Sequence, residues 1–484
     1  MQIMSTGIAN ELMKCFILNK DELRRIHETS LDILEKIGVK IMSVKGVKIL
    51  KEAGVSFNAK DKYIKIPREL VEDALRHTPK VCKLCGRDPK FDLVCDGKHT
   101  YLGTHVGAIR VFDLDTGERR NSTKDDMIKE AILVDALEDV NFLSTSMHSM
   151  DKPYAKWLHD YDAAVNNTVK HVRLEPPHAE EVNYLARMAA TVLGDEETLR
   201  KRPILSMVET TVSPLILEEL QTDAGLEAAK FGIPIHIMPM PIIGATVPIT
   251  LAGALALSNA QFLSFLTIIQ LAYPETPIIY SWDPSAIDMR TGGTGPSLPD
   301  AIRLGMYGVQ LAKYYEVPSY TPQPSTSAKL SDIQAGYEKA LGAFSLFLVK
   351  PDLSACGCIE HWLTFSYEQL LIDVEIFRTV RRICSRMQID DDTLAMDAIL
   401  KTGPEGHFLA HEHTRRHLKD YWSPILTDVM SFEAWKAKGG KTIIEVAREK
   451  IKKIITTHEP KHLDKDIKLR LDQIIKEAEE RKIP

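Results

Sequence analysis

Long uninterrupted apolar runs are missing from this chain. No stretch of about 18 consecutive apolar residues occurs, the length a membrane-spanning helix needs, so no membrane partner is expected. The opening MQIMSTGIANELMKCFILNK lacks a basic segment followed by an apolar stretch and a cleavage site, and the protein is therefore expected in the cytoplasm. Charge of one sign is scarce as well. The net charge of -6 is spread over 484 residues and offers no basic face for neutralising phosphates, which argues against nucleic-acid binding. Cysteine is sparse: seven, an odd number and scattered, fit reduced thiols better than a disulfide framework. What remains is 44% hydrophobic residues, enough for one large core or two moderate ones.

The first part of the chain reads as helices and short strands. DELRRIHETSLDILEKIG places Leu23, Ile26, Leu31, Leu34 and Ile37 at helical spacing and stops at Gly38. Turn signals at Gly86, Asp96-Gly97 and Asp115-Thr116-Gly117 predict a small antiparallel sheet between Lys80 and Arg119. After Ser122 strand-like and helix-like segments alternate. The strand candidates are Asn141 to His148, His171 to Glu175, Ile204 to Thr210, Pro234 to Met238, Pro277 to Trp282, Pro318 to Pro322, Leu353 to Ile359 and Gly406 to Ala410. Eight such repeats predict an α/β fold, a (β/α)8 TIM barrel over residues 122–410. An N-terminal α/β cap over 1–121 and a C-terminal helical extension over 411–484 complete the expected division.

Polar and aromatic residues at strand ends are where such barrels place their chemistry. Here the ends carry His148, Glu175, Glu209, Thr210, Trp282, Asp283, Tyr320, Gln323, Glu360, His361 and Trp362, a mix of rings and acids that suits a bound cation. Cys82 and Cys85 have the spacing of half a zinc site without a second pair nearby. Cys356 and Cys358, with Glu360 and His361, could supply ligands to a catalytic zinc. His411, His413 and His417 do not form an HExxH arrangement and read as capping or inter-helix hydrogen bonds, and no metal is assigned. TGGTGPSLPD, from Thr291 to Asp300, reads as a mobile loop beside the site.

The segment SAKLSDIQAGYEKALGAF, the barrel rhythm and the ending HFLAHEHTRRHLKDYWSPILTDVMSFEAWKAKGGKTIIEVAREKI closely resemble the trimethylamine methyltransferase family. That resemblance implies a barrel enzyme that passes a methyl group from a methylated amine to the Co(I) of a separate corrinoid protein. The chain itself then holds no tight cofactor, cobalamin coming with the partner. Trimethylamine enzymes of the family from methanogens carry pyrrolysine in the barrel, near Lys329 to Ser331. This sequence has only Ala328, Lys329, Leu330 and Ser331 there, and so resembles the branch without pyrrolysine, whose substrates are quaternary amines such as glycine betaine.

A quaternary ammonium leaves as a neutral tertiary amine, so its displacement needs positioning rather than a proton or a covalent adduct. On this reading Trp282, Tyr320 and Trp362, with Phe365 and Tyr101 behind them, form an aromatic cage. His361, His148, Gln323 and the amides of Gly292 and Gly293 meet a substrate carboxylate, and Glu209 balances the cation. His361 and Glu209 are the expected catalytic pair. The alternatives are a zinc-assisted methyltransferase built on Cys356, Cys358 and Glu360, and a non-catalytic betaine-binding protein. A homo-oligomer is expected from the helical C-terminal extension.

Overall fold

A computed structural model describes residues 17–57 and 63–484. The opening segment through residue 16, which bears on the export reading and contains Cys15, lies outside them.

Eight parallel strands close a barrel in chain order. They are β1 (Tyr101–Thr104), β2 (Phe142–Ser144), β3 (His171–Leu174), β4 (Leu205–Thr211), β5 (Ile235–Pro239), β6 (Ile278–Ser281), β7 (Ser319–Thr321) and β8 (Leu353–Cys356). β8 pairs with β1, Leu353 opposite Tyr101 and Cys356 opposite Thr104, which shuts the ring. The helices following the eight strands begin at Lys124, Lys156, Ala179, Glu219, Leu251, Pro299, Ile333 and Tyr367. Strands covered on both faces have no polar side to show, and every residue of β3, β5, β6 and β8 is buried.

The (β/α)8 class is therefore the one the alternating pattern predicts, with two strands differently placed. β1 lies inside the stretch read as an antiparallel cap. It is four residues long, contains a glycine and is hemmed by turns, so its periodic signal is weak. No strand forms at Gly406–Ala410, which is exposed and consists of turns and bends. Its apolar letters have nothing to pack against.

The barrel floor is plugged. Phe142, Val208, Met238, Ile279, Leu353 and Ala355 point inward and form one cluster with Cys82, Leu84, Leu93 and Cys95. Those last four belong to an antiparallel hairpin, Cys82–Leu84 on Leu93–Cys95. The hairpin is tied to the strand starts: the Gly97 amide donates to Asp352 at 2.6 Å, and the His171 ring bonds the Cys85 carbonyl at 3.0 Å. Only the opposite, C-terminal face is left for a ligand.

Helix Leu251–Ala272 is long and apolar enough by composition to cross a bilayer, yet 83% of its most apolar window is buried. The barrel covers one side. Helices Lys20–Lys36 and Arg68–His77 cover the other, with Ser30 donating to the Ala256 carbonyl. Burial on two sides explains why this helix lacks a polar face. Lys20–Lys36 starts with a capping box of Asn19 and Glu22 and ends at Gly38. There φ is +86°, and a Cβ would stand 2.6 Å from the Ile64 carbonyl oxygen, so the turn requires glycine.

At the C-terminal end, Ile443–Thr457 packs on Tyr367–Ile383 and Lys124–Ala136, while Lys465–Glu480 packs on Ala179–Leu193 and Lys156–Asn167. The extension thus wraps the barrel wall rather than its mouth.

Candidate active site at the barrel mouth

Strand parity decides which polar side chains enter the barrel. On β3 the inward positions are His171 at the floor, Arg173 above it and Glu175 at the rim. Arg173 is 1% exposed; its Nε donates to Ser144 at 2.9 Å and one Nη to the Tyr320 hydroxyl at 3.1 Å. Its guanidinium carbon lies 4.1 Å from the centre of the Tyr320 ring. The other nitrogen, Nη1, has no protein partner. A buried guanidinium with a free donor is a ready site for an anionic group.

Two carboxyl groups face it. Asp283, just beyond β6, is 2% exposed, and its Oδ1 has no protein partner. Burial, reinforced by repulsion from Glu175 and opposed by Arg173, holds it well above the usual carboxylate range. Burial also pushes Glu175 up to about 7, against the pull of Arg173 and His148. Two acids against one guanidinium leave the mouth short of positive charge. A cation entering it would favour the ionised forms of both acids.

The lid comes from the loops after β1, β5, β6 and β8. Cys358–Ile359, Thr364–Phe365, Arg110–Phe112 and Arg119–Asn121 form one small sheet, and Ile242–Ile243, Ser285–Ile287 and Thr294–Gly295 another. Between Ile359 and Thr364 three consecutive residues, Glu360, His361 and Trp362, have φ of 55°, 55° and 64°. Three left-handed residues in a row are strained and need outside support. It comes from the Ala328 and Thr326 carbonyls, which accept the Glu360 and His361 amides, and from Arg119, paired with Glu360 at 2.7 Å. The turn carries Trp362 onto His105, ring centres 4.9 Å apart and planes 7° from parallel. His105 follows β1 and is kept neutral by burial, and its Nε2 has no protein partner.

Tyr320 and Trp362 of the expected cage, and His148 and His361 of the expected carboxylate contacts, lie around this mouth; the others do not. Trp282 points outward: a Cβ on Gly308, in helix Pro299–Tyr314, would stand 2.2 Å from its ring. It is a wall residue, one position out of phase with the inward Ser281 and Asp283. Phe365 packs in the wall against Tyr367 and Gly357. Tyr101 opens β1 at the floor, beside His99, at the wrong end of the barrel. Even Tyr320 offers little, since Arg173 already covers a face of its ring. Gln323 points at Gly342 on helix Ile333–Val349 and accepts from Ser325. Gly292 and Gly293 are exposed, and their amides already donate to the Asp288 carbonyl and the Thr291 hydroxyl.

The expected catalytic pair is also revised. His361 is pushed down to about 4 by burial and by Lys329, and both ring nitrogens are engaged, with Ser285 at 2.9 Å and Thr294 at 3.2 Å. It braces two loops. His148 bonds Asp160 at 3.1 Å and packs edge-on against Trp157 beside Glu175. Glu209 is fully buried but lies outside the barrel interior, adjacent to the inward Val208, with its Cγ near Gly225 on helix Glu219–Lys230. Both its oxygens lack protein partners, and burial, reinforced by repulsion from Glu175, raises it well above the carboxylate range. An acid raised in the folded state destabilises the fold as pH climbs above its unfolded value, about 4.3. Glu209→Gln is therefore expected to unfold at higher temperature than the parent at pH 8, with the difference shrinking toward pH 5 and the substrate KM unchanged. Thermal melts across that range, with kinetics, check it; a raised KM returns Glu209 to the site.

Among the described residues the cysteines do not assemble a metal centre. Cys356 donates to the Gly103 carbonyl, burial raises Cys82, Cys85, Cys356 and Cys358, and Glu360 is taken by Arg119. All six cysteines among the described residues are free thiols.

Arg173 and His105 escaped the sequence reading. HVRLE did carry a signal, since a strand buried on both faces with charges at alternate positions turns those charges inward.

The profile of the Trimethylamine methyltransferase (MTTB) family matches residues 1–482. A trimethylamine methyltransferase of Desulfitobacterium hafniense (strain DSM 10664 / DCB-2) is 31% identical over 462 residues, 95% of this chain and 93% of its own. One from Methanosarcina barkeri is 32% identical over 474 residues, 96% of this chain and 95% of its own. A glycine betaine methyltransferase of Desulfitobacterium hafniense (strain Y51) is 29% identical over 469 residues, 96% and 97% of the two chains. Among solved structures, the hydroxylamine complex of MtmB superposes with a TM-score of 0.54 at 10% identity, covering 91% of this chain and 88% of that one, a likeness of fold.

Proposed function

Because this chain belongs to the trimethylamine methyltransferase family and so transfers methyl groups from methylated amines, we propose that its donor is a quaternary amine, glycine betaine or a related betaine. The acceptor is the Co(I) of a corrinoid carried by a separate protein, which supplies the nucleophile. The observation that carries the reading is the pair of unpartnered groups in one mouth, the guanidinium Nη1 of Arg173 and the carboxyl Oδ1 of Asp283, which a bound cation would draw to its ionised form. A zwitterion satisfies both at once.

In this scheme the carboxylate of the betaine takes the free donor of Arg173. Asp283 and Glu175 oppose the trimethylammonium head, which cannot donate hydrogen bonds and is recognised by charge and ring faces, here Trp362. The N–CH3 bond breaks with its electron pair left on nitrogen, and no proton moves. That suits a mouth in which His105 and His361 are kept neutral, with His361 fully hydrogen-bonded. The chain's own contribution is orientation and exclusion of water by the loop sheets. At Lys329 a standard lysine sits exposed, donating to the Ser327 carbonyl, and a quaternary substrate needs no adduct-forming residue there.

The test is the purified protein with reduced cobalamin and a panel of glycine betaine, proline betaine, carnitine, tetramethylammonium and trimethylamine. Expected is loss of the Co(I) absorbance with a betaine, matched by its demethylated product in the mass spectrum. Conversion of trimethylamine alone overturns the substrate. Tight betaine binding without turnover, with the cognate corrinoid protein present, favours the non-catalytic alternative.

The proposal includes a cytoplasmic setting, supported by the free thiols. It also includes a homo-oligomer, with a second copy of the chain against helix Ile333–Val349. Its outer stripe of Ile333, Tyr337, Leu341 and Phe344 is exposed, and so are Met387, Ile389, Leu400 and Leu409 of the 384–431 segment. Light scattering is expected to give a multiple of the chain mass, reduced by Leu341→Glu.

A further inference from the structure

Residues 384–431 leave the barrel after helix Tyr367–Ile383 and rejoin the packed structure near helix Ile443–Thr457. Only Ala398 and Leu426 are buried in that whole segment. Its apolar side chains are largely exposed, so burial within the chain does little to hold it, and small units without a core are held instead by disulfides, metals or association. Cys384, the only cysteine in it, is a free thiol.

Glu375 accepts the Ile425, Leu426 and Thr427 amides where the segment rejoins the barrel wall, and a second polar junction draws its outer part together. Helix Asp391–Leu394 is met by helix Glu412–Arg416 and the turn that follows it. Asp392, His413 and His417 each offer a ligand atom, and these atoms all lie within 4.8 Å of one another. His413 and His417 are four apart, on successive turns facing the same way, their rings 4.4 Å apart. His417 Nε2 already reaches Asp392 Oδ2 at 3.1 Å, while its Nδ1 is held by Asp420 at 2.7 Å. A carboxylate on the far nitrogen of an imidazole is the usual outer support of a metal-bound histidine, fixing which nitrogen faces the ion. A cavity of about 550 Å3 lined by Asp392, His411, Glu412 and His413 adjoins the trio and leaves room for a water ligand. Arg416, at 3.1 Å from Asp392 Oδ1, is the competing cation and engages the other carboxylate oxygen.

We propose that Asp392, His413 and His417 bind a divalent cation of the zinc class, which ties the 384–431 segment into one conformation. Two imidazoles and a carboxylate make a borderline-soft set that suits zinc over magnesium or calcium. The ion stands apart from the mouth residues and takes no part in methyl transfer. Its function is that of a staple.

The test uses the full chain, stripped with chelator and titrated with zinc alone. One zinc per chain is expected by elemental analysis, falling below a tenth of that in the His413→Ala, His417→Ala double variant. Trypsin cleavage in the segment, at Lys401 or Arg415, is expected to slow at least tenfold when zinc is restored to the parent and to be insensitive to zinc in the variant. The circular dichroism of the barrel should match in both, which separates loss of the site from loss of the fold. Substoichiometric zinc in the parent, equal zinc in the variant, or cleavage indifferent to zinc in the parent each overturns the assignment.

Discussion

Asp283→Asn is expected to lower kcat/KM for glycine betaine by roughly 100-fold, the size of effect seen when one partner of a buried charge contact is removed. The side chain is 2% exposed with Oδ1 unpartnered, so the asparagine fits the same space while the charge is lost. The fold should tolerate the change, because a protonated aspartate and an asparagine are alike and burial already favours the protonated form.

The same groups set a pH dependence. Glu175, at about 7, and Asp283, held higher than usual, are partly or wholly protonated in the free mouth. A cation favours their ionised forms, so binding below pH 7 releases protons. Affinity should rise about tenfold per pH unit per proton released and then flatten as the free groups ionise. Calorimetry in buffers of different ionisation enthalpy reads that release directly. An affinity independent of pH from 6 to 8 in the parent, or unchanged kinetics in the variant, removes these carboxyls from cation recognition.

Arg173→Lys is expected to cost about 100-fold in affinity for glycine betaine and little for tetramethylammonium. Lysine keeps the charge that offsets Asp283 and Glu175 but loses the planar fork. That fork bonds Ser144 and Tyr320 and leaves Nη1 for a carboxylate. The measured quantity is the ratio of the two dissociation constants. Collapse of the preference for betaine supports a carboxylate on Nη1. An equal loss for both ligands would mean that Arg173 only shapes the interior, with the substrate tail bound elsewhere.

These residues show how far the sequence could be read. Alternating strand and helix patterns reported the barrel because strands buried on both faces are mostly apolar, as Ile235, Ile237 and Met238 of β5 and Ile278 and Ile279 of β6 are. The family resemblance of the C-terminal ending pointed to methyl transfer. The cage was another matter. Trp282 was legible as a strand-end aromatic, and one step of strand parity turned it into the wall while giving the mouth to Asp283. Glu209 was misplaced by the same step. Phe365 and Tyr101 were aromatic in the right composition but belonged to a wall and a floor. Arg173 was hidden because arginine inside a barrel is unexpected until Ser144 and Tyr320, from neighbouring strands, are seen to hold it.

The architecture was legible in the chain because strand and helix periodicity is local and survives without coordinates, whereas the class of chemistry came from the resemblance of the C-terminal ending and the SAKLSDIQAGYEKALGAF segment to a known family. Which acid faces which cation was decided only by the tertiary structure. Strand parity, the left-handed turn at Glu360 to Trp362, and the closing of β8 on β1 bring together groups as far apart in the chain as His105 and Trp362. No local pattern encodes that meeting.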